Sequence, residues 1–119
     1  MSSDSVPILN GGLVDFGDGL KAELFVDPYP TDTLTSWVDV YLTDGPLDKP
    51  VADAHVQMEY DMWSMAHGPY IGLADNAVNG HYVFRLEYIM FGAWEQVLEV
   101  RRADSDETHR ITLMIVAFP

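Results

Sequence analysis

Residues 58–68, "MEYDMWSMAHG", gather three methionines and one histidine into eleven positions. The chain carries six Met, four His and no Cys, so thioether sulfur and imidazole nitrogen are its soft or borderline metal donors. Thioethers beside an imidazole suit Cu(I), which is soft, takes about two to four ligands and needs no charged donor. Zn(II) instead favours thiolate, imidazole or carboxylate in a tetrahedral array. Met65 and His67 stand two residues apart, after Trp63-Ser64 and before Gly68-Pro69. In an extended segment that spacing lets both side chains project the same way. Met90, beside Phe91-Gly92, is placed to approach from a neighbouring strand end, and Met62 is a fourth candidate.

Strands must position these donors. Apolar and polar residues alternate with period two over most of the chain, and no run of ten or more keeps a helical period. Residues 20–26 put Leu20, Ala22, Leu24 and Val26 on one face. Residues 36–43 put Val38, Val40 and Leu42 on one face and Trp37, Asp39 and Tyr41 on the other. Residues 51–62 place Ala52, Ala54, Val56, Met58, Tyr60 and Met62 opposite Asp53, His55, Gln57, Glu59 and Asp61, which describes a strand wet on one side. By parity, Met58 and Met62 fall with the core set, where Met fills irregular gaps.

Residues 81–91 align Tyr82, Phe84, Leu86, Tyr88 and Met90, and residues 94–101 align Trp94, Gln96, Leu98 and Val100. The closing stretch, 110–118, is apolar on both sides and suits a central strand. Turns fall at "DGPLDKP", at Asn79-Gly80 and in the charged hairpin "RRADSDETH". About seven strands in 119 residues predict an all-β, antiparallel two-sheet sandwich of immunoglobulin-like type, with a small barrel as the alternative. The expected organisation is a flexible arm over 1–12 and one sandwich domain over 13–119.

Nineteen acidic residues against six basic give a formal charge of −13. Such a field repels phosphate backbones and anionic lipid, so nucleic acid and membrane surfaces are poor partners, and a basic protein is the favoured one. No stretch reaches the roughly 20 apolar residues of a membrane span. "MSSDSVPILNGG" lacks the basic end and apolar run of a signal peptide, although a mature exported chain would look the same. Enzymatic signatures are missing: no Cys nucleophile, no Gly-x-Ser-x-Gly, no His-Glu-x-x-His and no phosphate-binding glycine loop leading into a helix. His55, His81 and His109 sit among polar neighbours and are expected to be solvated.

The stretch from about residue 20 to 101 resembles the YtkA-like / FixH-like domain family, over about two-thirds of the chain. The likeness is carried by "TDGPLDKPVADAHVQMEY", by "MWSMAHG" and by "NGHYVFRLEYIMFGAWEQVLEV". It implies an immunoglobulin-like sandwich in a periplasmic or extracytoplasmic setting, fused to or serving metal-efflux and oxidase-assembly components, with copper as cargo. On this likeness the loop Met and His fall on Met65 and His67, the turn Met on Met90 and the packing Trp on Trp94. Met62 takes the place of a further loop residue, and the family's Met-Pro step reads Met62-Trp63 here.

Two functions follow as expectations. The first is a small non-enzymatic Cu(I)-binding domain (chaperone, sensor or assembly accessory) with Met65, His67, Met90 and Met62 as ligands and a basic partner for metal transfer. Trp63 would then stand close enough to cap the ion by a cation–π contact. The alternative is a metal-free interaction module, with Trp63, Trp37, Tyr41 and Phe25 as its anchors.

Overall fold

The inward set of each alternating segment is buried in the folded chain. Leu20, Ala22, Leu24 and Val26 are enclosed, as are Val38, Val40 and Leu42 on the next strand and Leu98 and Val100 near the end of a later one. The computed structural model describes residues 6–7, 12–29, 31–62 and 70–119, with backbone alone at 6, 7, 73 and 75–77. Ten strands are formed among these residues. They are β1 (Val6–Pro7), β2 (Gly12–Asp15), β3 (Leu20–Asp27), β4 (Thr35–Asp44), β5 (Lys49–Pro50), β6 (His55–Met62), β7 (Tyr70–Val78), β8 (His81–Glu87), β9 (Gly92–Arg101) and β10 (Thr108–Ala117).

The chain is all-β, and its strands form two facing sheets of antiparallel pairing, a β-sandwich. One sheet runs β1-β10-β9-β6-β7, and the other runs β7-β8-β4-β3-β2 with β5 added on β4. Among the described strands, the two-residue β1 alone is parallel, pairing Val6 with Leu113 and Pro7 with Met114. Strand β7 belongs to both sheets. Its first half pairs with β6 through Tyr60↔Tyr70, and its second half pairs with β8 through Val78↔His81. The register slips between Ala74 and Ala77, where the strand turns the corner.

Three departures from the sequence reading have local causes. Strand β6 starts at His55, so Ala52 is exposed rather than inward. Residues 51–54 are held to the other sheet instead. The Val51 amide donates to the Leu42 carbonyl (3.0 Å), while the Tyr82 hydroxyl donates to the Val51 carbonyl (2.7 Å) and accepts from the Ala54 amide (3.0 Å). Strand β8 stops at Glu87, because the Tyr88 amide donates to the Leu34 carbonyl (2.7 Å) and leaves the ladder. Strand β10 has β9 along its whole length but only β1 beyond it, so it lies next to the edge rather than at the centre.

The expected turn at Asn79-Gly80 forms with positive φ at both residues. Gly80 is required there: a Cβ would stand 2.7 Å from the Leu42 carbonyl oxygen, at φ +86°.

The molecule is about twice as long as it is thick, 39 × 24 × 21 Å. One end, called the tip below, collects the β3–β4 connection, the β8–β9 turn, the last residue of β6, the first of β7 and the residues after β10. The opposite end carries the β2–β3, β7–β8 and β9–β10 connections.

Candidate functional site

The tip is built on an aromatic floor. Tyr60, Tyr70, Tyr88 and Trp94 converge with ring centroids 5.1–6.2 Å apart, in tilted and edge-to-face arrangements. Polar ends of these rings fix the backbone around them. The Tyr60 hydroxyl donates to the Glu87 carbonyl and accepts from the Glu87 amide, both at 3.2 Å. The buried Tyr88 hydroxyl meets the buried Ser36 Oγ at 2.7 Å. Burial pushes the Tyr88 phenol far above its ordinary range, against the lowering effect of that hydrogen bond.

Above this floor the β8–β9 turn is pinned. The Trp94 indole N–H donates to the Met90 carbonyl at 3.0 Å, and Trp94 itself is fully buried. Strand β9 then starts at Gly92, whose φ is +147°. A Cβ at that position would lie 2.9 Å from the Met62 terminal methyl, so the glycine makes room for Met62 underneath. Met62 pairs in register with Trp94 and is buried in the core.

The outcome for Met90 differs from that of its alternating neighbours. Tyr82, Phe84, Leu86 and Tyr88 point inward, but Met90 follows the strand end and is 40% exposed. Its flanking residues Ile89 and Phe91 are 49% and 38% exposed. Residues Met62 and Tyr70, which flank the segment 63–69, both stand at this same end. Met65, His67 and Trp63 lie outside the described residues. Of the four candidate ligands, two are therefore placed: Met90 on the surface of the tip and Met62 in the packing directly below Gly92. On the outer face of the first sheet, Asp61 and Glu95 oppose each other in register close to the tip.

The other sequence candidates lie elsewhere. Trp37 is exposed on the outer face of the second sheet, with the Arg85 guanidinium 5.8 Å from its ring centre. Phe25 shares that face. Tyr41 is half-buried there and stacks on His81 at 4.3 Å between centroids and 16° between planes. His81 also meets Asp39, Nδ1 to carboxylate oxygen at 3.0 Å, and is thus engaged rather than simply solvated. His55 is exposed, as expected.

His109 corrects the expectation of solvation, because it packs against Phe16 and its Nε2 reaches Asp18 at 3.2 Å. Asp18, Glu107 and His109 offer ligand atoms within 4.8 Å of one another at the opposite end. Sequence spacing gave no sign of this group, whose members come from the β2–β3 connection, the β9–β10 connection and the start of β10. Its chemistry suits an ion-pair network more than a cation site, because Arg102 already approaches Asp18 at 3.8 Å and grips Asp44 with two bonds of 2.9 Å. Partial desolvation raises the Asp18 carboxyl, but the Leu20 amide, His109 and Arg102 together hold it below the usual carboxylate range.

No family model and no curated protein matches this chain. In fold it is similar to the crystal structure of a DUF4426 family protein from Pseudomonas aeruginosa PAO1. That likeness covers 91% of this chain and 94% of the other, with a TM-score of 0.63 and 10% sequence identity. At that identity it shows the sandwich fold.

Proposed function

We propose that this chain is a small non-enzymatic Cu(I)-binding domain that holds its ion at the tip. Met90, Met65 and His67 are the ligands. Met62 is a fourth donor that reaches the ion only by leaving its packing under Gly92. The single observation behind this reading is the position of Met90. It follows the end of β8 and breaks the inward alternation of the residues before it, stands exposed on a pinned turn, and shares the end of the sandwich at which the flanks of segment 63–69 terminate. An exposed thioether is free to bind a soft ion, and two thioethers with one neutral imidazole match the softness of Cu(I).

The surroundings support the same reading. The carboxylates Asp61 and Glu95 near the tip, within a net charge of −13, raise the local concentration of cations without competing as soft donors. The resemblance to YtkA-like / FixH-like domains, with its extracytoplasmic setting and copper cargo, points in this direction too. A surface site leaves the ion open to ligand exchange with a basic partner, which is what a chaperone or assembly accessory needs.

The test is a titration of the apo protein with Cu(I) against a chromophoric chelator. One tight equivalent is expected. It should be lost when Met65 and His67 are both changed to Ala and weakened by at least about tenfold in Met90→Ala, with the thermal transition of each variant unchanged. Equal affinity in all three proteins would refute the assignment.

A further inference from the structure

Met90 is one member of a larger exposed apolar surface. Tyr29, Leu34, Ile89, Met90, Phe91 and Phe118 are all large and at least a third exposed, and all belong to the tip. Backbone bonds tie their segments together. The Tyr88 amide donates to the Leu34 carbonyl at 2.7 Å, the Phe118 amide donates to the Thr31 carbonyl at 3.0 Å, and Ala117 pairs with Gly92. Apolar side chains displayed together on a fixed backbone lose little freedom on contact, which favours them as binding anchors. Scattered exposed hydrophobics are ordinary, whereas six from three segments meeting at one end are not.

Among the described residues, the charge beside this surface is mainly negative. Asp27, Asp32 and Glu87 are exposed beside it, and Asp61 and Glu95 stand close by on the adjoining sheet. Among the described residues, the basic side chains lie mostly elsewhere. Lys21, Lys49, Arg101 and Arg102 belong to the opposite end, and Lys21 and Arg102 are engaged there with Asp48 and Asp44. Arg85 is the cation nearest the tip, and it is paired with Glu87 at 2.9 Å.

We infer that the tip is a docking face for a protein partner that presents apolar side chains inside a basic rim. Charge complementarity selects this occupant. A second copy would bring another acidic rim and a second net charge of −13 against the first, and anionic lipid would be repelled in the same way. Docking of this kind needs no metal, so it stands or falls apart from the copper reading.

The experiment uses the metal-free, isotope-labelled protein and three synthetic helical peptides: Leu/Lys amphipathic, Leu/Glu amphipathic and Lys/Ser. Amide shifts on adding the Leu/Lys peptide should map to residues 29, 34, 89–91 and 118. The Leu/Glu and Lys/Ser peptides should bind at least about tenfold more weakly, and raising salt from about 0.05 to about 0.5 M should weaken the Leu/Lys complex several-fold. The double variant Ile89→Ser/Phe91→Ser should lose about tenfold or more, whereas Leu47→Ser, at an exposed residue of the opposite end, should bind as the parent does. Shifts spread over the sheet faces would overturn the proposal. So would equal binding of the Leu/Glu peptide, uptake of the protein by neutral phosphatidylcholine vesicles, or concentration-dependent self-association through the tip.

Discussion

Gln96 occupies the inward face of β9, fully buried, with Tyr60 and Leu113 opposite it in register. Among the described residues, neither its amide nitrogen nor its amide oxygen has a hydrogen-bond partner. A buried amide without a partner costs about 1–3 kcal/mol in protein interiors. Gln96→Met keeps the length and shape of the side chain and replaces the amide with a thioether. The substitution should therefore stabilise the fold by about 1–3 kcal/mol. At about 2.1 cal/mol/K per residue over 119 residues, each kcal/mol moves the midpoint by about 4 °C, so the rise should be about 4–12 °C. Calorimetry reads the midpoint directly, and urea unfolding should show a higher midpoint concentration at an unchanged slope. Gln96→Ala is the control, because it opens a cavity and should lower stability by about 2–4 kcal/mol. A lower midpoint in Gln96→Met than in the parent would refute the reasoning. It would mean that the amide is satisfied inside the folded protein, by a trapped water or a bound molecule.

Gly80→Ala should destabilise the chain by about 1–3 kcal/mol, since the new methyl meets the Leu42 carbonyl at a backbone angle that favours glycine; a urea midpoint equal to the parent's would contradict this. Tyr88 sets a limit on the alkaline side. Its folded-state acidity is weakened by burial, so its contribution is fully present below the ordinary tyrosine value of about 10 and is lost as pH rises above it. Stability should fall above about pH 10, and an ultraviolet titration should show Tyr88 ionising only as the chain unfolds. A phenol at position 88 that ionises near pH 10 in the folded protein would be the contrary result.

Alternation made the core of the strands legible from the sequence. Leu20 to Val26, Val38 to Leu42 and Trp94 to Val100 all bury the side chains that parity assigned to the inside. Parity failed where a strand ended. Ala52 and Met90 share the phase of their segments, yet both lie beyond a break. One break is made by the Val51–Leu42 bond and the Tyr82 hydroxyl, the other by the Tyr88–Leu34 bond. Such contacts join residues distant in sequence, and no local pattern announces them. The same holds for His109, whose polar neighbours in the chain suggested solvent while Phe16 and Asp18 enclose it from another turn. Composition picked out Met90 as a candidate ligand from its residue type. Its exposure came from the pinned turn, which rests on the Trp94 indole and on Gly92.

The most direct test of the copper reading follows the methionine methyl groups by magnetic resonance in isotope-labelled protein as Cu(I) is added. The expected result is that the Met90 and Met65 methyls shift together and saturate at one equivalent, while Met58, enclosed in the core, and Met114 stay in place. Saturation with the Met90 methyl unmoved would contradict a metal held at the tip.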